Sequence, residues 1–598
     1  MDPVIIVGAG PVGLTLALSL ARNEVPVVVL DEAAAREGGP EERLARTAVL
    51  RPDTAALLER LGCATAGGAR WTGWRTLRRR AVAARVSFAD QARAVADGEP
   101  AEPGEEYEAG ADAGSPLHLP QHVLTRELRA GLARHEKVRI VPGTRVDTLR
   151  QDPAGISVHT RGDEGSHWRG SYLVGCDGAR STVRKLLGAR FPGRTAVERY
   201  AVAALRAELP WPGEAVLHRS PPRGPEVTAR PLPDGVWRLD WLLPPGDDLV
   251  TPDTLLALVR DSLTSWCGEP PPYELLDTGV HAVHHRLTRR MRTERAFLAG
   301  DAAHLLGALG TQGLDEGLRD AENLSWKLTL AWHQGASETL LDSYQAERRG
   351  ALVARLRAAD RVLPAVRGEG GWSAVRRTLV PGAVRGHDEL LTDGHLGRGS
   401  LGAPPFHART PLAPAGPPTG SVPVGTAVGE QVEDVPVTAP DGSAAALRDR
   451  LGGALLVVLV APGTGVWERR HWLGAGLMPR LAAAVGALPL PAELLVAEGY
   501  PGAAAHTVLL VRPDGCLVAA LAGVRAAELA ACADAVRGGA PGGPSTAGPV
   551  GDTGPDGTGG DADGGADGGV EPSARAGGGG AEGTSASDGA PSEATANR

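Results

Sequence analysis

The sequence predicts a multidomain α/β fold with a β-rich insertion, a smaller α/β unit near the C-terminus and a disordered tail. Three observations carry this prediction. The chain opens with an apolar run, a glycine-rich turn and a helical pattern; its middle contains alternating apolar and polar residues; its end has almost no large apolar side chains. A length of 598 residues also exceeds one ordinary core.

The N-terminal segment predicts a strand, a turn, a helix and a second strand. Residues 4–7 form a short apolar run, residues 14–21 have a helical pattern, and residues 25–30 form a second apolar run. Short apolar runs on either side of a helical stretch are typical of this arrangement.

Three glycines occupy the turn after the first strand, spaced as Gly8-x-Gly10-x-x-Gly13. Gly8 allows a tight turn, Gly10 lets a pyrophosphate approach the backbone, and Gly13 lets the helix pack on the strand. Asp31 closes the second strand, where a carboxylate can accept from a ribose hydroxyl. The spacing and its context predict a Rossmann-like dinucleotide site, with an ordinary glycine turn as the alternative.

Further segments predict the rest of this layer and the insertion. Residues 124–135 are helical in pattern, and the alternation in residues 237–242 predicts a sheet with one solvated face. Short apolar runs that predict additional strands occur at residues 138–141, 156–158, 172–174 and 296–299.

The C-terminal part predicts helices, a linker and a second α/β unit. Residues 314–356 are helical in pattern, and residues 402–420 are rich in proline and glycine, which is typical of a linker. Residues 455–460 and 507–511 predict strands of a small α/β unit that ends near residue 537.

Composition and charge exclude some classes of partner. From Gly539 onwards the chain is mostly small, polar and acidic residues, which predicts disorder. This tail carries nine acidic residues against two arginines, so it holds −7 of the whole-chain charge of −9. The nearly neutral remainder, the lack of a long apolar stretch and five widely spaced cysteines lead us to expect a cytoplasmic protein without a membrane or nucleic-acid partner.

Two later segments match signatures of a known family. Residues 172–184 contain an Asp-Gly pair that begins at Asp177, and residues 295–304 contain a Gly-Asp pair at Gly300 and Asp301. Together with the N-terminal glycines they resemble, in order and spacing, the flavoprotein aromatic hydroxylases related to p-hydroxybenzoate hydroxylase. The polyketide and phenol hydroxylase branch is the most similar. The resemblance covers roughly residues 4–360.

The resemblance implies FAD as the cofactor and NADPH or NADH as the co-substrate. It implies that the glycine turn holds the FAD pyrophosphate, that Asp31 binds the adenosine ribose and that Asp301 lies at the ribityl and pyrophosphate region. Asp177 is implied to serve flavin and nicotinamide. The full set of expected cofactor-binding residues is Gly8, Gly10, Gly13, Asp31, Arg46, Gln121, Asp177, Gly300, Asp301, Gly310, Gly313 and Leu314.

The same resemblance implies a division of the chain into domains. The C-terminal unit resembles the thioredoxin-like domain of phenol and polyketide hydroxylases, but without a C-x-x-C pair it has no dithiol chemistry. The expected segments are 1–75, 118–185 and 281–400 for the FAD-binding domain, 76–117 for an excursion, 186–280 for a substrate domain, 401–428 for a linker, 429–537 for the thioredoxin-like domain and 538–598 for the tail.

The activity that the resemblance implies is hydroxylation of an aromatic or polyketide-type small molecule with O2, through a flavin C(4a)-hydroperoxide. Baeyer–Villiger insertion or epoxidation on the same scaffold, and a non-catalytic flavin-binding role, remain alternatives. We expect a monomer or homodimer without a metal site, and no catalytic side chain can be assigned. Side chains that could line a substrate cavity, although core positions are commoner for such residues, are Trp237, Trp241, Trp266, His281, His284 and His285.

The chain departs from the family pattern at six positions, one of which is Thr311 in place of a usual glycine. Gly307 and Ala308 stand where prolines are usual, and Asp315 replaces the usual asparagine. Glu24 and Glu32 replace a glycine and an arginine near the end of the first fingerprint. We expect a looser loop beside the flavin and weaker adenosine contacts, with FAD binding retained.

Overall fold

The computed structural model describes residues 1–34, 43–90, 114–161, 167–244, 249–307, 313–335, 337–367, 392–396, 410–463 and 476–539. In chain order, the helices of this part are α1 (Pro11–Arg22), α2 (Pro52–Arg60), α3 (Gln121–Leu132), α4 (Thr182–Leu186), α5 (Pro252–Cys267), α6 (Gly313–Gln334), α7 (Glu338–Arg367), α8 (Met478–Gly486) and α9 (Ala526–Val536). Short 3-10 helices cover Gly300–Ala302 and Leu447–Arg450.

The strands, in chain order, are β1 (Val4–Val7), β2 (Val27–Leu30), β3 (Thr47–Leu50), β4 (Ala69–Arg70), β5 (Gly73–Arg78), β6 (Ala81–Ser87), β7 (Leu117–Pro120), β8 (Val138–Val141), β9 (Arg145–Asp152), β10 (Gly155–Arg161), β11 (His167–Gly170), β12 (Tyr172–Gly175), β13 (Gly193–Ala207), β14 (Glu214–Arg219), β15 (Val227–Pro231), β16 (Val236–Leu242), β17 (Tyr273–Leu287), β18 (Arg292–Thr293), β19 (Ala296–Leu298), β20 (His304–Leu305), β21 (Pro436–Thr438), β22 (Ala444–Ala446), β23 (Leu455–Val460), β24 (Ala492–Ala497), β25 (Thr507–Val511) and β26 (Leu517–Ala522).

The first sheet has six strands in the order β18-β19-β12-β1-β2-β8. β1 lies parallel to both of its neighbours, with Val4 paired to Tyr172 on one side and to Val27 on the other. All four residues of β1 are buried, as expected for a parallel strand covered by helices on both faces. Helix α1 packs against β1, β2 and α6. The predicted Rossmann-like α/β fold is confirmed.

The second sheet has eight strands in the order β20-β17-β13-β16-β15-β14-β5-β6. β5 and β6 come from a much earlier part of the chain than their neighbours, and β5 pairs in parallel with β14. The sheet therefore takes strands from both sides of the 186–280 segment. A β-rich insertion in the first layer is confirmed as part of the fold.

The expected solvated face of this second sheet is wrong. On β16, Trp237 and Trp241 pack in an apolar cluster with α5, while Arg238 and Asp240 on the opposite face are buried as well. That opposite face contacts a separate three-stranded sheet with the order β3-β7-β4, through a hydrogen bond from Arg238 to Thr47. The alternation of polar residues marks a buried polar surface, because a second layer covers it.

The helical pattern over residues 314–356 belongs to two helices. α6 ends at Gln334 and α7 begins at Glu338. Gly335 between them has a φ of +81°, a left-handed conformation that glycine adopts without steric cost and that commonly ends a helix. The break turns the chain back towards the first sheet, where Tyr344 of α7 donates a hydrogen bond to the carbonyl of Leu298.

The C-terminal part contains a six-stranded mixed sheet in the order β22-β21-β24-β23-β25-β26. β23 is parallel to β24 and antiparallel to β25, and α8 and α9 contribute to an apolar cluster on one side of it. This arrangement agrees with a small α/β unit. Its thioredoxin-like identity stays a prediction.

Three further expectations concern the cysteines, a membrane-spanning helix and the C-terminal tail. All five cysteines are free thiols, of which Cys63, Cys516 and Cys532 are buried while Cys267 is exposed. Within the described ranges, no helix is long and apolar enough to cross a membrane. The predicted disordered tail, apart from its first residue Gly539, lies outside the described residues.

Candidate functional site

The glycine turn after β1 is fixed by close backbone packing. A Cβ on Gly8, whose φ is +106°, would lie 2.4 Å from the carbonyl oxygen of Cys176 at the end of β12. A Cβ on Gly13 would lie 2.1 Å from the carbonyl oxygen of Gly8. Both distances are far inside van der Waals contact, so these two positions require glycine for the fold itself.

Gly10 differs from its two neighbours because a Cβ there would meet no protein atom within 4 Å. It is the N-cap of α1 and has no side chain to accept from the N–H groups of the first turn. Those groups remain available to an anion at the positive end of the helix. The open space beside Gly10 and the free N-terminus of α1 fit a dinucleotide pyrophosphate.

Asp31 lies directly beside this turn. Its carboxylate accepts from the backbone N–H of Ala9 at 2.5 Å and from that of Ala33 at 2.8 Å. The structure therefore brings Asp31 to the glycine turn, as the sequence predicts, and gives it a local role in holding the turn closed. Ribose binding by the same carboxylate stays a prediction.

Asp177 follows β12 and faces the start of α4. One of its oxygens accepts from the hydroxyl of Ser181 at 2.5 Å, and the other accepts from the N–H groups of Thr182 and Val183. Ser181 in turn caps α4 by accepting from Arg184 N–H at 2.9 Å. These contacts fully explain Asp177 as a helix cap, and its expected contact with flavin and nicotinamide stays a prediction.

Asp301 is positioned by the glycine before it. Gly300 has a φ of +60°, and a Cβ there would lie 3.0 Å from Val12 of α1. Asp301 lies inside the short 3-10 helix, whose capping position is Ala299, so its side chain does not serve as the cap of that helix. Its carboxyl group is accessible yet closely surrounded by protein, and this burial raises its pKa, opposed by His304 and Arg46.

A buried carboxylate that the sequence analysis missed holds the Gly300 turn in place. Asp320 of α6 accepts from Gly300 N–H at 2.9 Å, from His304 Nε2 at 2.8 Å and from Arg348 Nε at 2.6 Å. The spacing of the aspartate along α6 could have placed it on the inner face of that helix. Asp320 therefore fixes the backbone that presents Asp301.

Of the remaining expected cofactor residues, Arg46 and Gly313 lie near Asp301. The carbonyl of Arg46 accepts from Gln121 N–H at 2.9 Å, which joins these two positions. Gly313 starts α6, and a Cβ there would lie 3.9 Å from Asp301 Oδ1. Leu314 packs on the apolar core of the first sheet, and Gly310 lies outside the described residues. An accessible carboxylate beside a helix N-terminus fits the ribityl and phosphate part of FAD.

Asp315, the departure from the usual asparagine, is neutralised locally. Its carboxylate accepts from Arg51 N–H at 2.9 Å and from Arg51 Nε at 2.6 Å, and Arg51 also pairs with Glu316. Both carboxylates raise the pKa of Arg51, although burial opposes them. The first turn of α6 thus carries two carboxylates, of which Asp315 is the departure, and both are directed at Arg51 instead of at the cofactor side.

A polar surface on the second sheet was also missed. Arg238 donates to both carboxylate oxygens of Asp240 and, through Nη1, to the hydroxyl of Thr47 at 2.7 Å. His118 Nδ1 lies 2.8 Å from the carbonyl of Pro231, so this nitrogen donates. Its Nε2 accepts from the Thr47 hydroxyl at 2.8 Å. Burial, reinforced by Arg230, lowers the pKa of His118 to about 3, so the ring is neutral.

The three tryptophans that were expected to line a substrate cavity lie in or against an apolar core. Trp237 and Trp241 belong to the core under α5, and Trp266 packs against that core and donates to His218. A cavity-lining role for these three is wrong. His281, in contrast, lies on the polar face, where its ring stacks on Tyr200 at a centroid distance of 5.4 Å. Asp360 of α7 lies 3.3 Å from Nδ1 of His285. For His284, a cavity-lining role stays a prediction.

Comparison with known proteins shows the family of the chain. The family described as FAD binding domain matches residues 1–359. The 3-(3-hydroxy-phenyl)propionate/3-hydroxycinnamic acid hydroxylase of Comamonas testosteroni is 31% identical over 58% of this chain, which spans only 55% of that relative. The rifampicin monooxygenase of Streptomyces venezuelae is 32% identical over 64% of this chain and 75% of the relative.

Solved structures share the fold over most of the chain. Aklavinone-11 hydroxylase in a ternary complex with FAD and aklavinone has a TM-score of 0.67 at 23% identity, over 90% of this chain and 98% of that one. The flavin-dependent monooxygenase PieE, in complex with FAD and substrate, has the same TM-score at 21% identity and the same coverage of both chains. With its first 359 residues matched and a glycine turn that fits the pyrophosphate, the chain belongs to the FAD-binding-domain family.

Proposed function

We propose that the protein is an FAD-dependent monooxygenase that hydroxylates an aromatic or polyketide-type small molecule with NADPH or NADH and O2. The relatives it matches are hydroxylases and monooxygenases. When bound, FAD supplies the two-electron chemistry with nicotinamide and dioxygen, and the protein binds, orients and excludes water.

The observation that carries this proposal is a pair of adjacent residues. Arg46 lies close enough to Asp301 for its charge to act on that carboxyl group. The next residue, Thr47, hydrogen-bonds to Arg238 on the polar face of the second sheet. The step from Arg46 to Thr47, the first residue of β3, therefore joins the expected cofactor position to a buried polar surface suited to a substrate, which favours a reaction between the two.

The two sides supply different functions. On the cofactor side, Gly10 leaves room for the pyrophosphate, and Asp301 offers an acceptor for sugar hydroxyls. On the substrate side, the stacked rings of Tyr200 and His281 offer a flat surface for an aromatic compound. No side chain in this part of the described chain needs to act as a nucleophile, because the redox chemistry belongs to the cofactor.

The experiment that tests the proposal measures four quantities together. Full-length protein loaded with FAD is mixed with NADPH or NADH and with a panel of phenolic and polyketide compounds. Nicotinamide loss, oxygen uptake, hydrogen peroxide and product mass are recorded. We expect slow oxidation without substrate and faster oxidation with a turnover substrate, because substrate binding favours the conformation that is reduced. Equal rates with every compound, or no oxygen uptake at all, would refute the proposal.

Two alternatives are separated by the same measurements. Baeyer–Villiger insertion and epoxidation also add one oxygen atom, so the position of that atom in the product has to be determined. A non-catalytic flavin-binding protein would hold FAD without substrate-dependent oxygen uptake. We also propose a thioredoxin-like fold for the 429–537 unit with a packing role, and a cytoplasmic monomer or homodimer as the active form.

A further inference from the structure

Residues 43–46 form a turn immediately before β3, and Asp277 of β17 holds this 43–46 turn to the second sheet. Asp277 Oδ2 accepts from the backbone N–H of Ala45 at 2.9 Å and from Arg43 Nε at 3.1 Å. Arg43 also donates through Nη2 to the carbonyl of Thr278 at 3.2 Å, and Asp277 Oδ1 accepts from the N–H of Thr278 at 2.8 Å. Two neighbouring residues of β17 therefore fix the position of the turn.

A β-bulge in β17 gives Asp277 its direction. Asp277 lies opposite Ala204 of β13. Leu275 lies opposite Leu205, the next residue of β13, so Leu276 is the extra residue on β17. Side chains directly opposite each other share a face of the sheet, and Leu205 packs in the apolar cluster with α5. The bulge therefore leaves Leu275 on the apolar face and places Asp277 on the polar face, where it reaches the turn, although the two would share a face in a regular strand.

The 43–46 turn carries Arg46, one of the expected cofactor-binding residues. Arg46 N–H donates to the carbonyl of Arg43 at 3.0 Å, which closes the turn, and the Arg46 carbonyl accepts from Gln121 N–H at 2.9 Å. Arg46 itself is exposed, and its charge acts on the carboxyl group of Asp301 by lowering the pKa of that group. An exposed guanidinium group on a fixed backbone is suited to a phosphate group of a dinucleotide.

The contact of Asp277 with the backbone matters more than its ion pair with Arg43. The side chain of Arg43 is 42% exposed, and ion pairs of such exposed groups stabilise proteins only slightly. A hydrogen bond from a backbone N–H to a carboxylate, in contrast, is charge-assisted. Burial raises the pKa of Asp277, but the hydrogen bonds from Ala45 and Arg43 outweigh it and lower the pKa below its usual value. Asp277 is therefore ionised at neutral pH, and its removal would release the Ala45 N–H and the turn.

We propose that Asp277 is a positioning residue for the cofactor, which acts through the 43–46 turn to hold Arg46 where FAD binds. A turn that is already fixed loses less conformational freedom on binding than a mobile one, so the affinity for FAD is higher. Because β17 belongs to the sheet with the proposed substrate surface, the same contact joins that sheet to the cofactor side. The proposal rests on the expected contact between Arg46 and FAD, and it requires neither substrate nor O2.

The test is a double-mutant cycle on the affinity for FAD, in full-length protein from which FAD has been removed. The change in flavin fluorescence during titration with FAD gives the dissociation constant of each variant. Asp277→Ala should weaken FAD binding about 3- to 30-fold, and Arg46→Met should also weaken it. The double variant should bind FAD within about 2-fold of Arg46→Met alone, because a residue that acts through Arg46 has no further effect once that side chain is lost.

The matched control is Glu274→Ala on the same strand. This change removes an exposed carboxylate that pairs with Arg206 and should leave the FAD affinity unchanged. Asp277→Asn is a milder variant, because its amide oxygen can still accept from the Ala45 N–H without the negative charge. It should weaken FAD binding less than Asp277→Ala does, and it takes the place of Asp277→Ala in the cycle if the alanine variant does not fold.

Three results would overturn the inference. They are wild-type FAD affinity in Asp277→Ala, an equal loss of affinity with and without the Arg46 side chain, and wild-type FAD affinity in Arg46→Met. An equal loss in both backgrounds is the result that a purely structural role predicts. Oxygen uptake with substrate is measured separately on the wild type. If the cycle gives the expected result while no compound stimulates oxygen uptake, the proposed function is rejected and the positioning role of Asp277 remains.

Discussion

At the scale of single residues, the glycines of the first turn divide into two kinds. Gly8 and Gly13 are required by backbone contacts at 2.4 and 2.1 Å, so their glycine identity serves the fold. A Cβ on Gly10 would meet no protein atom within 4 Å, so the fold does not require glycine there and its identity serves what lies outside the chain. The glycine spacing in the sequence therefore reflects both a structural requirement and a binding requirement. Only the three-dimensional structure shows which glycine meets which requirement.

This division predicts the effect of Gly10→Val. The added Cβ meets no protein atom within 4 Å, so the apoprotein should melt nearly as the wild type does. FAD should bind roughly 10- to 100-fold more weakly, because the valine fills the approach of the pyrophosphate. Flavin content after purification and the dissociation constant of added FAD measure this. Gly486→Val, at another open position, is the control, and unchanged FAD affinity in Gly10→Val would contradict the assignment of this turn.

Glu24 illustrates how a departure from the family pattern can leave the backbone conformation unchanged. Glu24 stands where glycine is usual, and its φ of +61° lies in the left-handed region that glycine occupies without strain. An exposed ion pair with Lys137 at 2.7 Å accompanies it, and such pairs stabilise proteins only slightly. The backbone has kept the conformation that suits glycine although the side chain has changed.

At the scale of elements, helix α6 connects distant parts of the molecule. Its first turn lies beside Asp301, its middle supplies Asp320 to the Gly300 turn, and Trp326 further along donates to Asp514 after β25. Glu322 on the same helix pairs with Arg60 of α2 at 2.8 Å. One rigid helix therefore couples the cofactor side to the C-terminal sheet.

Glu322 of α6 makes the stability of the protein depend on pH. Burial, with a smaller contribution from Asp514 and against the effect of Arg60, raises its pKa from 4.5 to about 7. Between these values the folded state binds more protons than the unfolded state, so this group makes stability fall as pH rises. The loss is complete above about pH 7 and absent below about pH 4.5.

Melting temperatures of the wild type and Glu322→Gln test this. The glutamine cannot ionise, so the wild type should lose stability relative to the variant as pH rises from 5 to 8. Glu59→Gln, at an exposed carboxylate that pairs with Arg70, serves as the control. A difference between wild type and Glu322→Gln that stays constant over this range would contradict the raised pKa.

At the scale of the whole molecule, a buried ion network joins the C-terminal sheet to the helices. Arg512 donates to Glu347 of α7 at 2.6 Å and to Asp514 at 2.9 Å, and it lies over the ring of Trp326. Lys327 of α6 donates to the same Glu347 at 2.8 Å. The C-terminal sheet and the helices are therefore held together by buried ion pairs, and these pairs form only when both parts are present.

We expect Arg512→Met to destabilise the protein by about 3–5 kcal/mol, because Glu347 and Asp514 would lose a buried partner. The melting temperature of the FAD-loaded protein should fall, and the C-terminal sheet should become accessible to proteases first. Arg525→Met removes an exposed arginine paired with Glu528 and should have little effect. Comparable melting of the two variants would show that the network does not hold the parts together.

The sequence predicted five of the six strands of the first sheet because each of these is a short apolar run next to a turn, as at Val4–Val7 and Val138–Val141. The sixth, β18, is an arginine followed by a threonine and was not predicted. Prediction from the sequence failed where tertiary context decides. The alternation around Arg238 is the same for a solvated and for a covered face, and only the position of β3 across the sheet tells them apart. Which arginine contacts Asp240 more closely, Arg238 at 2.7 Å or Arg230 at 3.5 Å, likewise depends on distances that no sequence pattern records.

The order of strands in the first sheet determines which strand pairings can form early during synthesis of the chain and which can form only later. β1 is made first, but its neighbour β12 begins at Tyr172, and Gly8 packs against Cys176. Asp301 follows only after β19 has added the next strand beyond β12. During synthesis from the N-terminus, the cofactor pocket therefore cannot close until about half of the polypeptide has left the ribosome. Until then, β1 has β2 as a neighbour on one side, while its other edge lacks β12 and stays unpaired.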